Sequence, residues 1–207
     1  MAQNQATKRR GRPPSYDAEQ ALARAMEAFW TAGFAATSLD DLAVATGMNR
    51  PSLYGAFGDK RALFLKALMA YRNRGEGVLA RLTAKDRSVR ETLVNAYAAA
   101  LKMYVSGEEG AHGCFLTGAA LVGAVLDPDV RQALLGGLQE LDDGFVALFR
   151  RGQNQGEVGG NADPVALGLM ASALLHTLSV RARAGTPQAE LVRTAAMGVD
   201  TLLSAAR

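Results

Sequence analysis

Residues 38–57, SLDDLAVATGMNRPSLYGAF, consist of two short amphipathic stretches with a glycine between them. Apolar residues recur at helical spacing on one side of each stretch. Gly47 allows the positive φ of a tight turn, and Asn49 followed by Pro51 is typical of a helix N-terminus. The stretch therefore predicts a short helix, a tight turn and a second short helix. The predicted inward residues are Leu39, Leu42, Ala43, Leu53 and Phe57.

The rest of the chain also follows a helical pattern. Apolar residues recur three and four residues apart, and no segment shows the period-two alternation of a half-buried strand. Hydrophobic residues make up 49% of the 207 residues and charged residues 21%, which is typical of globular proteins. We therefore predict an all-α fold. The charge-free segment from Cys114 to Leu126 is predicted to be buried on most sides.

Composition excludes several kinds of site. One cysteine excludes a disulfide framework and a cysteine-rich zinc site, and two histidines argue against a histidine metal site. We expect no metal, no cofactor and no catalytic residues. No apolar run predicts a membrane span, and the basic N-terminus lacks the apolar region of a secretory signal. The expected location is the cytoplasm, without membrane contact.

Charge is unevenly distributed along the chain. Residues 1–75 contain 11 basic and 6 acidic side chains, whereas residues 76–207 contain 12 basic and 14 acidic ones. The first third is therefore net positive and the remainder slightly negative. This asymmetry indicates that the first third meets a polyanion, although a basic tail alone would give a similar count.

The predicted helix-turn-helix has the geometry by which proteins read duplex DNA. The first helix braces the second, whose N-terminal residues approach base edges in the major groove. That groove is about 12 Å wide, so the outward face of the second helix needs small or polar side chains. Asn49, Arg50, Ser52 and Gly55 meet this requirement. From the pattern alone, an ordinary helical hairpin in a bundle is the alternative.

Residues 16–65 resemble the N-terminal DNA-binding domain of the TetR family of transcriptional regulators. The spacing of the shared motifs is unbroken, and they cover about a quarter of the chain. One departure is Gly55-Ala56, where family members often carry a larger polar or aromatic pair. The matching motifs are Ala28-Phe29, Gly33-Phe34, Thr37-Ser38-Leu39-Asp40-Asp41-Leu42-Ala43, Gly47-Met48-Asn49, Ser52-Leu53-Tyr54, Phe57-Gly58-Asp59-Lys60 and Leu63.

The resemblance implies an organisation into three parts. Residues 1–15 are expected to form a flexible basic arm. Residues 16–62 would form the three-helix DNA-binding domain with its helix-turn-helix. Residues 63–207 would form a larger helical domain for effector binding and dimerisation. A fourth helix, predicted over residues 59–73, would join the two domains.

The resemblance also implies DNA contacts. Tyr54 and Lys60 are expected to contact phosphates, as are hydroxyl or backbone N–H groups of Thr37 and Ser38. A bidentate contact from Arg50 to guanine would discriminate bases by about 1–3 kcal/mol. The residues expected to face the bases are Arg50, Pro51 and Ser52, and Asn49 is a further candidate DNA-binding residue.

The N-terminal arm contains a second candidate DNA contact. Arg10-Gly11-Arg12-Pro13 resembles the core of an AT-hook, in which arginines lie in a narrow A·T-rich minor groove. Arg10 and Arg12 are therefore candidate DNA-binding residues. The alternative is a solvated tail that contributes only non-specific attraction.

The C-terminal part is large enough to enclose a pocket for a small-molecule effector. No charged cluster predicts a charged effector, and the sequence does not identify the compound. Each candidate residue is also a natural core residue. The candidate lining residues are Tyr97, Met103, Tyr104, Cys114, Phe115, Phe145, Phe149, Met170 and His176.

Cys114 follows His112 near a predicted helix start, an arrangement that raises the thiolate fraction of a cysteine. A thiol sensor of electrophiles or oxidants is therefore one alternative, and an inert buried cysteine is the other. A Cys–His hydrolase is disfavoured because no orienting Asn or Asp stands at a recognisable spacing.

Two C-terminal helices are predicted to form a dimer interface. Residues 165–180, VALGLMASALLHTLSV, carry no charge, and a helix that is apolar all round must be covered on both sides. The resemblance implies the same conclusion, because the last two helices of each TetR-family chain form a four-helix interface. A two-fold dimer would present two recognition helices to half-sites about 34–36 Å apart.

Together these observations predict a homodimeric repressor that binds a palindromic double-stranded DNA operator and is released by a small-molecule effector. One alternative is an architectural DNA-binding protein that needs no effector. Another is a repressor that senses electrophiles or oxidants through Cys114. The sequence does not distinguish repression from activation.

Overall fold

The computed structural model describes residues 17–83, 87–106 and 111–207. Every regular element within these residues is helical, which confirms the all-α prediction. A π-helical turn, Leu116–Ala120, leads directly into α6. The α-helices are α1 (Ala18–Ala36), α2 (Leu39–Thr46), α3 (Arg50–Phe57), α4 (Lys60–Thr83), α5 (Val89–Tyr104), α6 (Leu121–Leu126), α7 (Pro128–Asn154), α8 (Pro164–Arg183) and α9 (Gln188–Ala205).

Helices α1, α2 and α3 pack with the first turns of α4 around one apolar centre. Phe29, Leu42, Leu53 and Phe64 are each no more than 2% exposed. The rings of Phe29 and Phe64 meet edge to face with centroids 5.0 Å apart. These contacts are long-range in sequence, so burial of the apolar stripes fixes the angle between α2 and α3.

The turn between α2 and α3 follows the predicted chemistry. Gly47 has φ 68° and ψ 19°, the left-handed conformation expected of a glycine in a tight turn. The Thr46 hydroxyl donates to the Leu42 carbonyl at 2.6 Å and accepts from the Met48 N–H at 3.3 Å. Both Thr46 and Met48 are buried, so the turn is tied to the core from inside.

Replacing Gly47 with alanine is expected to destabilise the protein by about 1–2 kcal/mol, because an L side chain in the left-handed region is strained. An added Cβ meets nothing within 4 Å, so the effect comes from the backbone alone. The matched control is Gly55→Ala, since Gly55 is helical and equally unobstructed. Alanine there is expected to stabilise by up to about 1 kcal/mol. Urea unfolding curves that move in the same direction for both variants would contradict this account.

Gly33 is a residue type that commonly ends a helix, but it lies inside α1. It interrupts the helix with φ 81° and ψ 164°, and helical residues continue to Ala36. Thr37 closes this extra turn, because its N–H donates to the Gly33 carbonyl at 3.2 Å. Gly33 therefore acts as a kink inside α1.

The fourth helix is longer than predicted, extending to Thr83 instead of residue 73. Its start agrees with the sequence, because Asp59 accepts from the Ala62 N–H at 2.8 Å. The polar, glycine-containing residues from 72 to 77 do not interrupt it. α4 therefore runs through the predicted boundary at residues 62–63, and this division into domains stays a prediction.

The C-terminal half consists of α5, α7, α8 and α9 with the second half of α4. Gly168 of α8 lies against Val146 of α7, and a Cβ at Gly168 would come within 2.7 Å of the Val146 backbone nitrogen. The small residue therefore permits the close approach of α7 and α8. Tyr97 of α5 is tied to α8 by its hydroxyl, which donates to the Ala171 carbonyl at 3.1 Å.

The charge-free segment before α7 is buried as predicted only in its first part, where the residues no more than 8% exposed are Cys114, Phe115, Leu116, Ala119 and Ala120. Ala124 is 7% exposed, but the large apolar residues of α6 are between 57% and 89% exposed. For α6 the prediction was wrong because absence of charge does not require burial, and this one-and-a-half-turn helix packs only one side against its neighbours. Arg131 caps its end by donating to the carbonyls of Ala124 and Val125, each at 2.9 Å. The exposed residues are Leu121, Val122, Val125 and Leu126.

Helices α8 and α9 leave a second apolar face uncovered within one chain. Met170 and Val180 of α8 are 63% and 62% exposed, and Val192 and Met197 of α9 are 51% and 62% exposed. By length and composition α8 is apolar enough to cross a membrane, although core helices of soluble proteins often pass the same test. Large exposed apolar side chains on two helices that pack together are typical of a protein–protein interface.

Candidate nucleic-acid interface and ligand cavity

Helix α3 turns a polar face outward at its N-terminus. Asn49 caps the helix, and its side-chain oxygen accepts from the Ser52 N–H at 2.9 Å. Pro51 is exposed, Ser52 is half-buried and Tyr54 is 48% exposed. Leu53 packs inward between them. The structure thus brings the predicted base-facing residues together on one accessible surface.

Arg50 is held by an acidic partner that the sequence analysis did not identify. Its Nε and NH2 groups donate to the two carboxylate oxygens of Asp40 at 2.9 and 2.6 Å. Both side chains are largely exposed. Hydrogen bonds to Asp40 raise the pKa of Arg50, so the guanidinium is charged at every relevant pH. The two guanidinium N–H groups that would donate to guanine O6 and N7 are therefore bound to the Asp40 carboxylate in the free protein.

Ser38 and Asp41 form a capping box at the start of α2. The Asp41 N–H donates to the Ser38 hydroxyl at 3.1 Å, and the Ser38 N–H donates to the Asp41 carboxylate at 2.7 Å. Donation from the Ser38 hydroxyl and backbone lowers the pKa of Asp41. Ser38 itself remains exposed, so a phosphate contact would have to replace or share these bonds.

Thr37 does not have the accessible donors predicted for it. It is 1% exposed, and its hydroxyl donates to the Gly33 carbonyl at 2.7 Å. Its N–H is committed to the same carbonyl. Both donors serve the end of α1, so the predicted phosphate contact of Thr37 is wrong in this conformation.

Lys60 stands at the first turn of α4, as predicted. Its Nζ lies 4.6 Å from the centroid of the Phe34 ring, a cation–π distance. The backbone N–H groups at this helix end add partial positive charge beside the ammonium. Tyr54 is exposed on α3, and the half-buried Lys60 follows three residues after the end of that helix. The predicted contacts of Arg10 and Arg12 lie outside the described residues.

A cavity of about 720 Å³ lies among α4, α5, α7 and α8. Met103, Tyr104, Cys114, Phe145 and His176 line it, as predicted. The other four predicted lining residues do not. Tyr97, Phe115 and Phe149 are buried core residues, and Met170 lies on the exposed face of α8.

The cavity wall includes charged residues, although no charged cluster in the sequence predicted them. Arg72 of α4 donates to the Glu140 carboxylate of α7, and both line the cavity. The Arg72 side chain, 14% exposed, crosses Gly136, where a Cβ would come within 2.8 Å of its guanidinium. Sixty-eight residues separate the pair, so spacing along the chain contains no signal for it.

Cys114 lies at the cavity wall beside two tyrosines. The Tyr71 hydroxyl donates to its Sγ at 3.3 Å. Tyr104 is buried and also lines the cavity. Burial raises the pKa of both phenols well above the ordinary value, so both remain protonated donors. The thiol is 8% exposed.

His112 faces α1, although the sequence analysis paired it with Cys114. Its Nδ1 lies 3.1 Å from the Glu27 carboxylate, and its Nε2 lies 3.4 Å from the Thr31 hydroxyl. The side chains of His112 and Cys114, only two residues apart, therefore point to different sides of the segment that precedes the π-helical turn. The thiol faces the cavity and the imidazole faces the DNA-binding helices.

Two arginines link the DNA-binding helices to the C-terminal half. Arg61 of α4 donates to Asp127, with one oxygen at 2.8 Å, and also to Asp129. This contact lowers the pKa of Asp127 to about 2. Arg183 of α8 donates to the Trp30 carbonyl at 3.1 Å and to the His112 carbonyl at 3.0 Å. These links join α4 to the start of α7, and α8 to α1 and to the segment that contains His112.

Comparison with known proteins identifies the family. Residues 21–67 match the family described as "Bacterial regulatory proteins, tetR family". The chain is 30% identical over 189 residues to the HTH-type transcriptional repressor ComR of Escherichia coli K12, covering 91% of this chain and 90% of ComR. It is 32% identical over 151 residues to the uncharacterized HTH-type transcriptional regulator YezE of Bacillus subtilis 168, covering 72% and 77%.

A solved structure extends the likeness to the whole fold. The regulator CifR, described as a TetR family transcriptional regulator complexed with 26bp double-strand operator DNA, superposes with a TM-score of 0.83 at 31% identity. The match covers 91% of this chain and 98% of CifR. The chain described here therefore belongs to the TetR family of DNA-binding transcriptional regulators.

Proposed function

We propose that the protein is a homodimeric repressor that leaves its DNA operator when a small molecule occupies the 720 Å³ cavity. The observation that carries this proposal is the placement of α4. One helix begins beside the reading face of α3 and lines the cavity further along, through Tyr71 and Arg72. An occupant that favours one arrangement of α4 would therefore shift the population of DNA-binding conformations.

In this proposal α3 enters the major groove. Arg50, with Asn49, Pro51 and Ser52, faces base edges, while Tyr54, Lys60 and Ser38 contact phosphates. The exposure of α3 and the position of Lys60 support these roles. CifR is described in complex with operator DNA, and its fold match covers 91% of this chain. Arg10 and Arg12 would add minor-groove contacts.

The partner surface is proposed to be the exposed apolar face of α8 and α9. Two such faces related by a two-fold axis would cover each other and form a four-helix interface. The dimer would then present two α3 helices to a palindromic operator. We propose that the protein acts in the cytoplasm and catalyses no reaction, because the proteins it resembles are DNA-binding transcriptional regulators.

DNase I footprinting of the full chain on genomic fragments tests the proposal. A short protected palindrome, with half-sites spaced by one helical turn or a multiple of it, is the expected result. Unspecific coating of all fragments would instead favour an architectural DNA-binding protein without an effector.

Lys60→Ala is expected to reduce the slope of log Kd against log salt concentration by about one unit, because one phosphate contact releases about one counterion. The loss should be similar for operator and random DNA, since a phosphate contact carries no sequence information. Lys102→Ala is the control, because Lys102 is exposed on α5 in the C-terminal half. An unchanged slope for Lys60→Ala would remove Lys60 from the interface.

A second candidate function is a thiol sensor built on Cys114. The observation that favours it is the position of Sγ at the cavity wall with a phenol donating to it. N-ethylmaleimide would then release wild-type protein from the operator and leave Cys114→Ser bound. Equal release of both proteins would remove the thiol from the mechanism.

A further inference from the structure

Helix α6 exposes more apolar surface than its length suggests. Leu126 is 89% exposed, more than any other large apolar residue in the described parts of the chain, and Val122 is 76% exposed. Val125 and Leu121 are also mostly exposed. Single exposed apolar residues are common on protein surfaces. Four of them within one and a half turns indicate a surface that another molecule covers.

The exposed side chains form one stripe along the π-helical turn and α6. Side chains three and four residues apart lie on the same side of a helix, so the stripe begins in the π-helical turn and continues through α6. The opposite side, at Ala120 and Ala124, is buried against the protein. The residues of this α6 stripe are Thr117, Leu121, Val122, Val125 and Leu126.

The α6 stripe adjoins the proposed dimer face of α8 at its Thr117 end. The hydroxyls of Thr117 and Ser179 lie 3.1 Å apart. Thr117, Gly118 and Val180 line one cleft between the π-helical turn and α8. Val180 is one of the exposed apolar residues of the dimer face. The stripe and the dimer face therefore meet at this cleft and form one surface.

A second copy of the chain is the occupant that fits this surface. The segment from Cys114 to Leu126 carries no charge, as is also true of residues 165–180 of α8. A partner that covers Val180 across a two-fold axis already stands beside the stripe. DNA does not fit, because apolar side chains offer no donor to a phosphate. The N-terminal residues 1–16, which lie outside the described residues, are mostly polar or basic and do not match an apolar stripe.

We propose that the partner protomer covers the α6 stripe, so that the dimer interface extends from α8 and α9 onto α6. This inference rests on the proposed homodimer and adds a contact near the DNA-binding helices. Leu126 is followed by Asp127, which accepts from Arg61 of α4 at 2.8 Å. The contact therefore reaches the helix that begins beside α3, and it helps to set the distance between the two α3 helices of the dimer.

Photo-cross-linking of the full chain tests the contact directly. The photo-reactive residue p-benzoylphenylalanine replaces Val122, the protein is irradiated without DNA, and covalent products are separated by denaturing gel electrophoresis. We expect a covalent dimer, because the side chain at position 122 lies against the partner. Val44, which is 84% exposed on α2, is the matched control position. The same replacement there is expected to give no covalent dimer.

Two further proteins relate this contact to the α8–α9 dimer. The photo-reactive residue at Val180 should give a covalent dimer, because Val180 lies on the proposed dimer face. Adding Met170→Glu to the protein labelled at position 122 should abolish its cross-link. This loss is expected because the α6 contact and the α8–α9 contact belong to the same pair of protomers.

Val122→Ser measures the contact without a bulky group. Subunits of two differently tagged preparations are mixed, and mass spectrometry follows the formation of mixed dimers. Exchange is expected to be about 10- to 100-fold faster than in the wild type, since a two-fold dimer loses the apolar contact twice. Val94→Ser, at an exposed position of α5, should leave the rate unchanged. Circular dichroism melting confirms that each variant is folded.

Three results would overturn the proposal while leaving the homodimer in place. They are a cross-link at position 180 without one at position 122, a position-122 cross-link that persists with Met170→Glu, and a wild-type exchange rate for Val122→Ser. Absence of covalent dimers at both positions would instead reject the proposed dimer face itself.

Discussion

Replacing Met170 with glutamate is expected to convert the dimer to monomers and to weaken operator binding by about 100-fold or more. Met170 is 63% exposed on the apolar face of α8, so the single chain tolerates a charge there. In the proposed dimer the same carboxylate would be buried without a cation, which costs several kcal/mol. A monomer engages one half-site only and loses the gain from linked binding, about 10²–10⁴ in affinity.

Sedimentation velocity and a gel-shift titration of the footprinted operator measure the two consequences together. Leu135→Glu is the matched control, since Leu135 of α7 is 55% exposed but lies outside α8 and α9. It should remain dimeric and bind DNA normally. A dimeric Met170→Glu protein would move the interface away from this face, and a monomer with full operator affinity would separate DNA binding from dimerisation.

Replacing Arg50 with alanine is expected to weaken operator binding by about 5- to 150-fold, the range of one bidentate arginine–guanine contact. The loss should be concentrated at one base pair per half-site, so selection from a randomised operator would show relaxed preference there. In the free protein the guanidinium is bound to Asp40. Reading the base therefore requires the exchange of one bidentate acceptor for another.

Arg90→Ala is the control for Arg50. Arg90 forms an ion pair with Asp200 at 2.8 Å, and the exposures of the two arginine side chains, 55% and 54%, are nearly equal. Its removal tests whether loss of any exposed ion pair weakens DNA binding. Exposed pairs contribute about 0–1 kcal/mol to stability, so we expect no change in affinity. An equal loss in both variants would contradict base reading by Arg50.

Helix ends and turns were the most predictable features of the fold. Gly47, Asn49 and Asp59 all act at the positions their chemistry indicated, because capping and left-handed turns depend on a few neighbouring residues. Gly33 was less predictable. Whether a glycine ends a helix or kinks it depends on the partners available beyond it, here the side chain and N–H of Thr37.

Features that depend on contacts between distant residues were not predictable from the sequence. The sequence gives no sign that Arg50 has an acidic partner, because Asp40 lies beside it only when α2 and α3 are packed together. Exposure of α6 had no signal, since an apolar segment gives no indication of how many sides its neighbours cover. The cavity wall was predicted only in part for the same reason.

The length of α4 sets the scale of any conformational signal. Twenty-four residues in one uninterrupted helix form a rod of about 36 Å. A tilt of only about 6° about its far end displaces the other end by about 4 Å, close to the 3.4 Å rise of one base pair. In a two-fold dimer both DNA-binding domains would move together, so the distance between the two α3 helices would change by about two base-pair steps. The same tilt moves residues 71–75 of α4, which line the cavity about 12–18 Å from its far end, by about 1–2 Å. Shifts of this size at the cavity wall are therefore sufficient to put the two DNA-binding domains out of phase with the double helix.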